Sequence, residues 1–104
     1  MAEVEKPIFT QRIGVIYGGS FMSWPFGRID VYSGRFVVSG ARFSLDNVDA
    51  IVRQRRLIST VLSIIHRNPN APRSVDVASL NRTRLENALR EAGFDVVDKN
   101  DIGT

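Results

Sequence analysis

Cysteine is absent from the 104-residue sequence, which excludes disulfides, a thiolate nucleophile and a Cys-ligated zinc. Histidine occurs once, at His66, and tryptophan once, at Trp24. A metal triad would therefore have to rely on carboxylates, and no metal or other cofactor is expected. No apolar run approaches the ~20 residues that a membrane-spanning helix needs. The start, Met1-Ala-Glu-Val-Glu-Lys-Pro7, is polar and acidic where a secretory signal would be basic and then apolar. These absences together lead to the expectation of a cytoplasmic protein without a transmembrane segment.

What is present fits one domain over residues 1–104, with flexible ends at about 1–7 and 98–104. Apolar residues make up 43% and charged residues 24%, a globular balance. A chain of this length hides roughly 65% of its unfolded surface, enough for one core. Net charge is +3, unevenly distributed: residues 12–73 sum to +6, from nine Arg against Asp30, Asp46 and Asp49. No acid stands between Asp49 and Asp76, where Arg53, Arg55, Arg56, Arg67 and Arg73 fall with His66. Arg favours planar, bidentate contact with carboxylate or phosphate.

Ile8 to Tyr17 is rich in β-branched and aromatic residues and ends at Gly18-Gly19-Ser20, which predicts a strand and a turn. Residues 27–39 predict a hairpin: Ile29 and Val31 alternate with Arg28, Asp30 and Tyr32, Ser33-Gly34 turns, and Arg35 to Ser39 returns. Ala41 to Leu45 is a further short apolar piece. Residues 46–66 allow two readings, a helix on the spacing of Val48, Ile51, Val52, Ile58, Leu62 and Ile65, or two strands at about 48–55 and 59–66 on the abundance of β-branched residues. Asn68 to Pro72 predicts a loop, and Ser74 to Ala78 a strand. A helix of ~11 residues follows, with Asn81 as its cap, Leu80 and Leu85 as a staple, Thr83 and Glu86 as a capping box, Leu85, Ala88, Leu89 and Ala92 on its buried face, and Gly93 at its end. Phe94 is expected to close onto the core.

Ser23-Trp24-Pro25-Phe26-Gly27-Arg28-Ile29-Asp30-Val31, then Phe43-Ser44-Leu45, then Val61 to Asn70 with His66-Arg67-Asn68-Pro69, and lastly Leu85 to Phe94 ending Ala92-Gly93-Phe94, resemble small bacterial proteins of the pleckstrin homology (PH)-like superfold. The resemblance spans residues 13–97. It implies a mostly β fold with one C-terminal α-helix, a bent antiparallel sandwich or partly open barrel of about seven strands capped by the helix. It also favours two strands within residues 46–66, and it implies a lipid-headgroup or protein-binding module. Tyr17 to Trp24 carries no basic residue, a departure from the cation-rich first hairpin of phosphoinositide-binding PH domains.

The candidate binding residues are Trp24, Arg53, Arg55, Arg56, His66, Arg67 and Arg73. Trp24-Pro25-Phe26 is either an aromatic grip for a peptide or a core cluster, and the core is the favoured expectation because large aromatics supply much of a small domain's buried area. The arginines are either a solvated face or, if the two strands pair, one anion-binding patch. His66 is expected to end a strand and bond locally. Gly14 to Ser20 matches neither a dinucleotide-binding nor a P-loop pattern, and Asn81-Arg82-Thr83 reads as a helix cap in preference to a glycosylation sequon. The leading expectation is a noncatalytic binding or scaffold module that recognises a protein partner or forms a homo-oligomer through a sheet edge or groove. The rivals are an anionic lipid or nucleic-acid binder using Arg53–Arg73, and a small hydrolase using His66.

Overall fold

Alternation of buried and exposed side chains carries most of the chain into strands, as seen in a computed structural model whose described residues are 6–18, 20–55 and 60–99. The strands are β1 (Phe9–Tyr17), β2 (Ser20–Tyr32), β3 (Arg35–Val38), β4 (Ala41–Ser44), β5 (Val48–Arg55), β6 (Thr60–His66) and β7 (Val75–Ala78), followed by α1 (Arg82–Glu91) and β8 (Val96–Asp98). They form one sheet in the order β4-β3-β2-β1-β7-β6-β5-β8. Every neighbouring pair is antiparallel except β5 with β8. The fold is mostly β with one helix near the C-terminal end, and its sheet is bent over a core without closing into a barrel.

Residues 46–66 form two strands, β5 and β6. Residues 56–58, between the two expected strands, lie outside the described residues. Eight strands replace the expected seven because the segment after α1 returns to the sheet, with Ile51 opposite Val96 and Arg53 opposite Asp98. Asp98, expected to begin a loose tail, thus ends a strand. Of the expected flexible ends, residues 1–5 and 100–104 lie outside the described residues.

β1 is shared between the two halves of the sheet. Its whole length faces β2, while Gly14 to Tyr17 also pairs with β7. The inner faces of both halves close on the helix, so Ile13, Val31, Phe36, Phe43, Ile51, Leu62, Leu85 and Leu89 are almost fully buried in one cluster. Phe94 meets Phe36 edge-on at 5.0 Å, and Phe43 meets His66 at 4.7 Å.

The helix starts where Asn81 Oδ1 accepts the Arg84 N–H at 3.3 Å, and it ends at Gly93, whose φ of +104° suits glycine. Gly34 N–H donates to Ala92 O at 2.8 Å, tying the β2–β3 turn to that end. The staple does not form, since Leu80 is 76% exposed while Leu85 is buried. Glu86 is not part of a capping box either, because arginines hold its carboxylate.

Candidate functional site

β2 leaves regular pairing at its midpoint. Ile13 stands opposite Gly27 and Val15 opposite Met22, so the four residues Ser23 to Phe26 face Gly14 alone. Trp24-Pro25 is a cis bond within this bulge. Glycine is needed at its end on β2, and the space opposite it on β1 is close. A Cβ at Gly27 would lie 2.6 Å from Ile13 O, whereas one at Gly14 would just touch Met22 O and Trp24 N at 3.4 Å. The bulge turns its aromatic side chains outward: Trp24 is 51% exposed and Phe26 73%, with Phe21 76% exposed just before them.

This overturns the expectation that Trp24-Pro25-Phe26 closes the core. A bulge breaks the period-two alternation, so sequence position no longer says which face a side chain takes. Trp24, Phe21, Ile16, Met22 and Leu80 wall a groove of about 300 Å³ with Gly14 on its floor. Among the described residues none that lines the groove is charged, and residues 13–27 contain no charge at all. Phe21, Ile16 and Leu80 were not among the sequence candidates, whereas Phe26 belonged to the Trp24-Pro25-Phe26 motif. The uncharged run itself was the available signal.

Among the described residues the arginine candidates do not make one patch. β5 and β6 do pair, but antiparallel, with Arg53 opposite Leu62 and Val48 opposite His66. Arg53 and Arg67 thus lie near opposite ends of the hairpin, five residues along β6 and roughly 16 Å apart at ~3.3 Å per residue. Both are committed. Arg53 grips Glu86 through two hydrogen bonds, 2.6 and 3.0 Å, and reaches Asp98 at 2.6 Å. Arg67 holds Asp49 at 2.9 Å and the Asp46 carbonyl at 2.7 Å. Arg55 and Arg73 are exposed, and Arg56 lies outside the described residues.

Glu86 is the most buried acid of this network, with Arg82 at 2.9 Å and Arg90 at 3.6 Å adding to Arg53. Burial pushes its carboxyl upward, but the hydrogen bonds and charges of Arg53 and Arg82 prevail and hold it below the ordinary carboxylate value. The same bonds to Glu86 and Asp98 raise the Arg53 guanidinium. Arg53 is therefore a clamp between β5, α1 and β8.

His66 ends β6 and bonds locally, as expected. Its Nε2 lies 2.8 Å from Pro72 O, and its Nδ1 accepts the Asn68 N–H at 3.0 Å. A carbonyl only accepts and an N–H only donates, so both ring nitrogens are used in one neutral tautomer. The buried Ser63 donates to Asp76 at 2.6 Å and accepts from Gln54 at 3.0 Å. Ser63 is offset by an odd number of positions from His66 along β6, which puts the two on opposite faces. Among the described residues no group of three His, Asp or Glu could hold a metal.

A basic face is present that the sequence candidates omitted. Pairing aligns Arg12 with Arg28, and Asp30 with Val37 and Arg42, while Tyr32 neighbours Arg35. These side chains share the outer side of β1–β4, and Arg35 lies over the Tyr32 ring at 4.0 Å. Only Asp30 among them is acidic, and it holds Arg28 at 2.8 Å. An open hollow of about 620 Å³ lies here, between Tyr32, Arg35, Arg42 and Asn47. The adjacent edge of β4 is blunted: Asn47 takes both backbone groups of Ser44, and Asn68 Nδ2 donates to Arg42 O.

No helix among the described residues is long and apolar enough to cross a membrane. Comparison with protein-family models, curated proteins and solved structures finds no match.

Proposed function

We propose that this chain is a noncatalytic, PH-like interaction module that takes an apolar side chain of a protein partner into the groove beside Trp24. The observation that carries this reading is the exposure of Trp24, Phe21 and Leu80 around one uncharged hollow. Large exposed apolar clusters mark interaction sites, and Trp is a favoured anchor. A meander of strands followed by a capping helix supports the PH-like assignment, and the lack of cysteine suits a cytoplasmic setting. The committed nitrogens of His66 and its separation from Ser63 favour binding over hydrolysis.

Because Trp24 is the lone tryptophan, its emission reports on the groove directly. Short uncharged peptides carrying one Phe, Leu or Trp should include members that shift this emission to the blue saturably, and Leu80→Lys should abolish the shift. Failure of every member to shift it would refute the reading.

A second reading rests on the outer face of β1–β4, where Arg12, Arg28 and Arg42 stand exposed. It moves the anionic-ligand alternative away from Arg53–Arg73. Salt-sensitive binding of anionic vesicles or single-stranded nucleic acid, lost in Arg12→Gln/Arg42→Gln but kept in Arg55→Gln/Arg73→Gln, would favour it.

A further inference from the structure

Building on the groove reading, we infer that the occupant of the groove is Phe26 of a second copy of this chain, in a reciprocal pair. The groove and a protruding ring lie at the same end of one molecule. Trp24 and Leu80 wall the groove, whereas Phe26 lies outside its lining and is 73% exposed. An apolar cavity of about 150 Å³ accepts a benzene ring, so a hollow of about 300 Å³ has room for a phenylalanine side chain. A groove alone asks for any apolar ligand. A groove beside a bare ring is satisfied by a twofold partner, which buries both features of both copies at once and closes the assembly at two.

Charge and area agree. The uncharged run 13–27 brings no like charges of its own across such an axis. With aromatic side chains of ~150–250 Å² each, the exposed parts of Phe21, Trp24 and Phe26 present about 400 Å² per copy. Ile16 and Leu80 raise this to ~600 Å², so complete cover of these side chains in both copies would bury ~1,200 Å², the lower bound of specific interfaces. Protection elsewhere makes the bare tip more telling: the β4 edge is stopped by Asn47 and Asn68, while residues 20–27 of β2 have no described strand on the side away from β1.

The test is sedimentation equilibrium on the unmodified chain, Phe26→Glu, Leu80→Lys and an equal mixture of the two variants. The unmodified chain should approach twice its 11.6 kDa mass as concentration rises, and dilution should shift Trp24 emission to the red in step. Each variant alone should associate about 30-fold or more weakly, the loss expected of an anchoring side chain. Mixing them should restore pairs, because Phe26 of the Leu80→Lys copy enters the intact groove of the Phe26→Glu copy while the two introduced charges, opposite in sign, face each other. A monomer at every concentration would overturn self-association, and a peptide-induced shift of Trp24 emission in that monomer would show that the groove reading itself survives. Mass growing without limit, or a mixture no better than either variant, would also overturn the reciprocal pair. The dilution measurement decides self-association at the Trp24 end even if a variant fails to fold.

Discussion

Replacing Arg53 by Met should unfold the protein more readily and should leave any anion binding unchanged. Arg53 is 22% exposed at its side chain and Glu86 only 7%. Their two parallel hydrogen bonds are the strong, bidentate kind. Breaking one side of a fully buried pair costs about 3–5 kcal/mol. Here Glu86 keeps Arg82, and water reaches part of Arg53, so about 2–3 kcal/mol is expected for Arg53→Met and a similar loss for Glu86→Met. The contacts of Arg82 and Arg90 are 38% and 48% exposed on the arginine side and should contribute ~0–1 kcal/mol each. In a domain of this size the single changes should lower Tm by roughly 10–20 °C. The double variant should lose less than the sum, by about 1–2 kcal/mol, since the second change removes a charge already stranded. Urea melts of the four proteins measure all of these quantities. Single losses under about 0.5 kcal/mol that simply add would refute the clamp and return Arg53 to the solvated surface.

Leu89 is 2% exposed and packs under the sheet, so Leu89→Ala should cost ~2–5 kcal/mol in a urea melt, while Arg90→Ala on the outer side of α1 should cost under ~1 kcal/mol. Gly27→Ala places a Cβ 2.6 Å from Ile13 O and 2.8 Å from Val15 Cγ2; it should destabilise by ~1–3 kcal/mol, and an unchanged melt would contradict the close crossing of β1 and β2. The stabilisation from Glu86 should be fully present above the ordinary carboxylate value of 4.5 and lost as pH falls through its lower folded value. Glu86→Gln should therefore flatten the acid limb of a Tm–pH profile. Helix content by far-ultraviolet circular dichroism should lie near 10%, from the ten residues of α1, and ~30% would contradict the two-strand form of residues 46–66.

Local chemistry made some elements legible. The 27–39 hairpin was readable because one face is buried and the other wet, and because Gly34, at φ +77°, sits where the turn needs it. Asn81 and Gly93 announced the helix by the same kind of local demand. Residues 46–66 were ambiguous because Ile51 and Val52 are both 1% exposed. A strand buried on both faces loses the alternation that distinguishes it from a helix. β8 left little trace, since Val96–Asp98 owes its form to β5 and not to its own three residues. At the site, Trp24 was taken for core because a bulge opposite Gly14 cannot be read from residue types. Neither a solvated face nor an anion patch describes Arg53, and its clamp was not legible because its acid partner, Glu86, stands 33 positions away.

The parallel pairing of β8 also bears on the order of folding. β2 and β3 can meet across a two-residue turn, but β5 waits for a neighbour forty-five positions later, Ile51 to Val96. Closing so long a stretch carries a larger entropic cost than closing a turn, and it is recovered only when α1 has docked and delivered the segment beyond it. Until then one side of β5 is an open edge beside apolar residues, the condition under which partly folded chains pair wrongly. A refolding chain should therefore acquire its hairpins early and its resistance to aggregation late, when Arg53 finds Glu86 and Asp98 together.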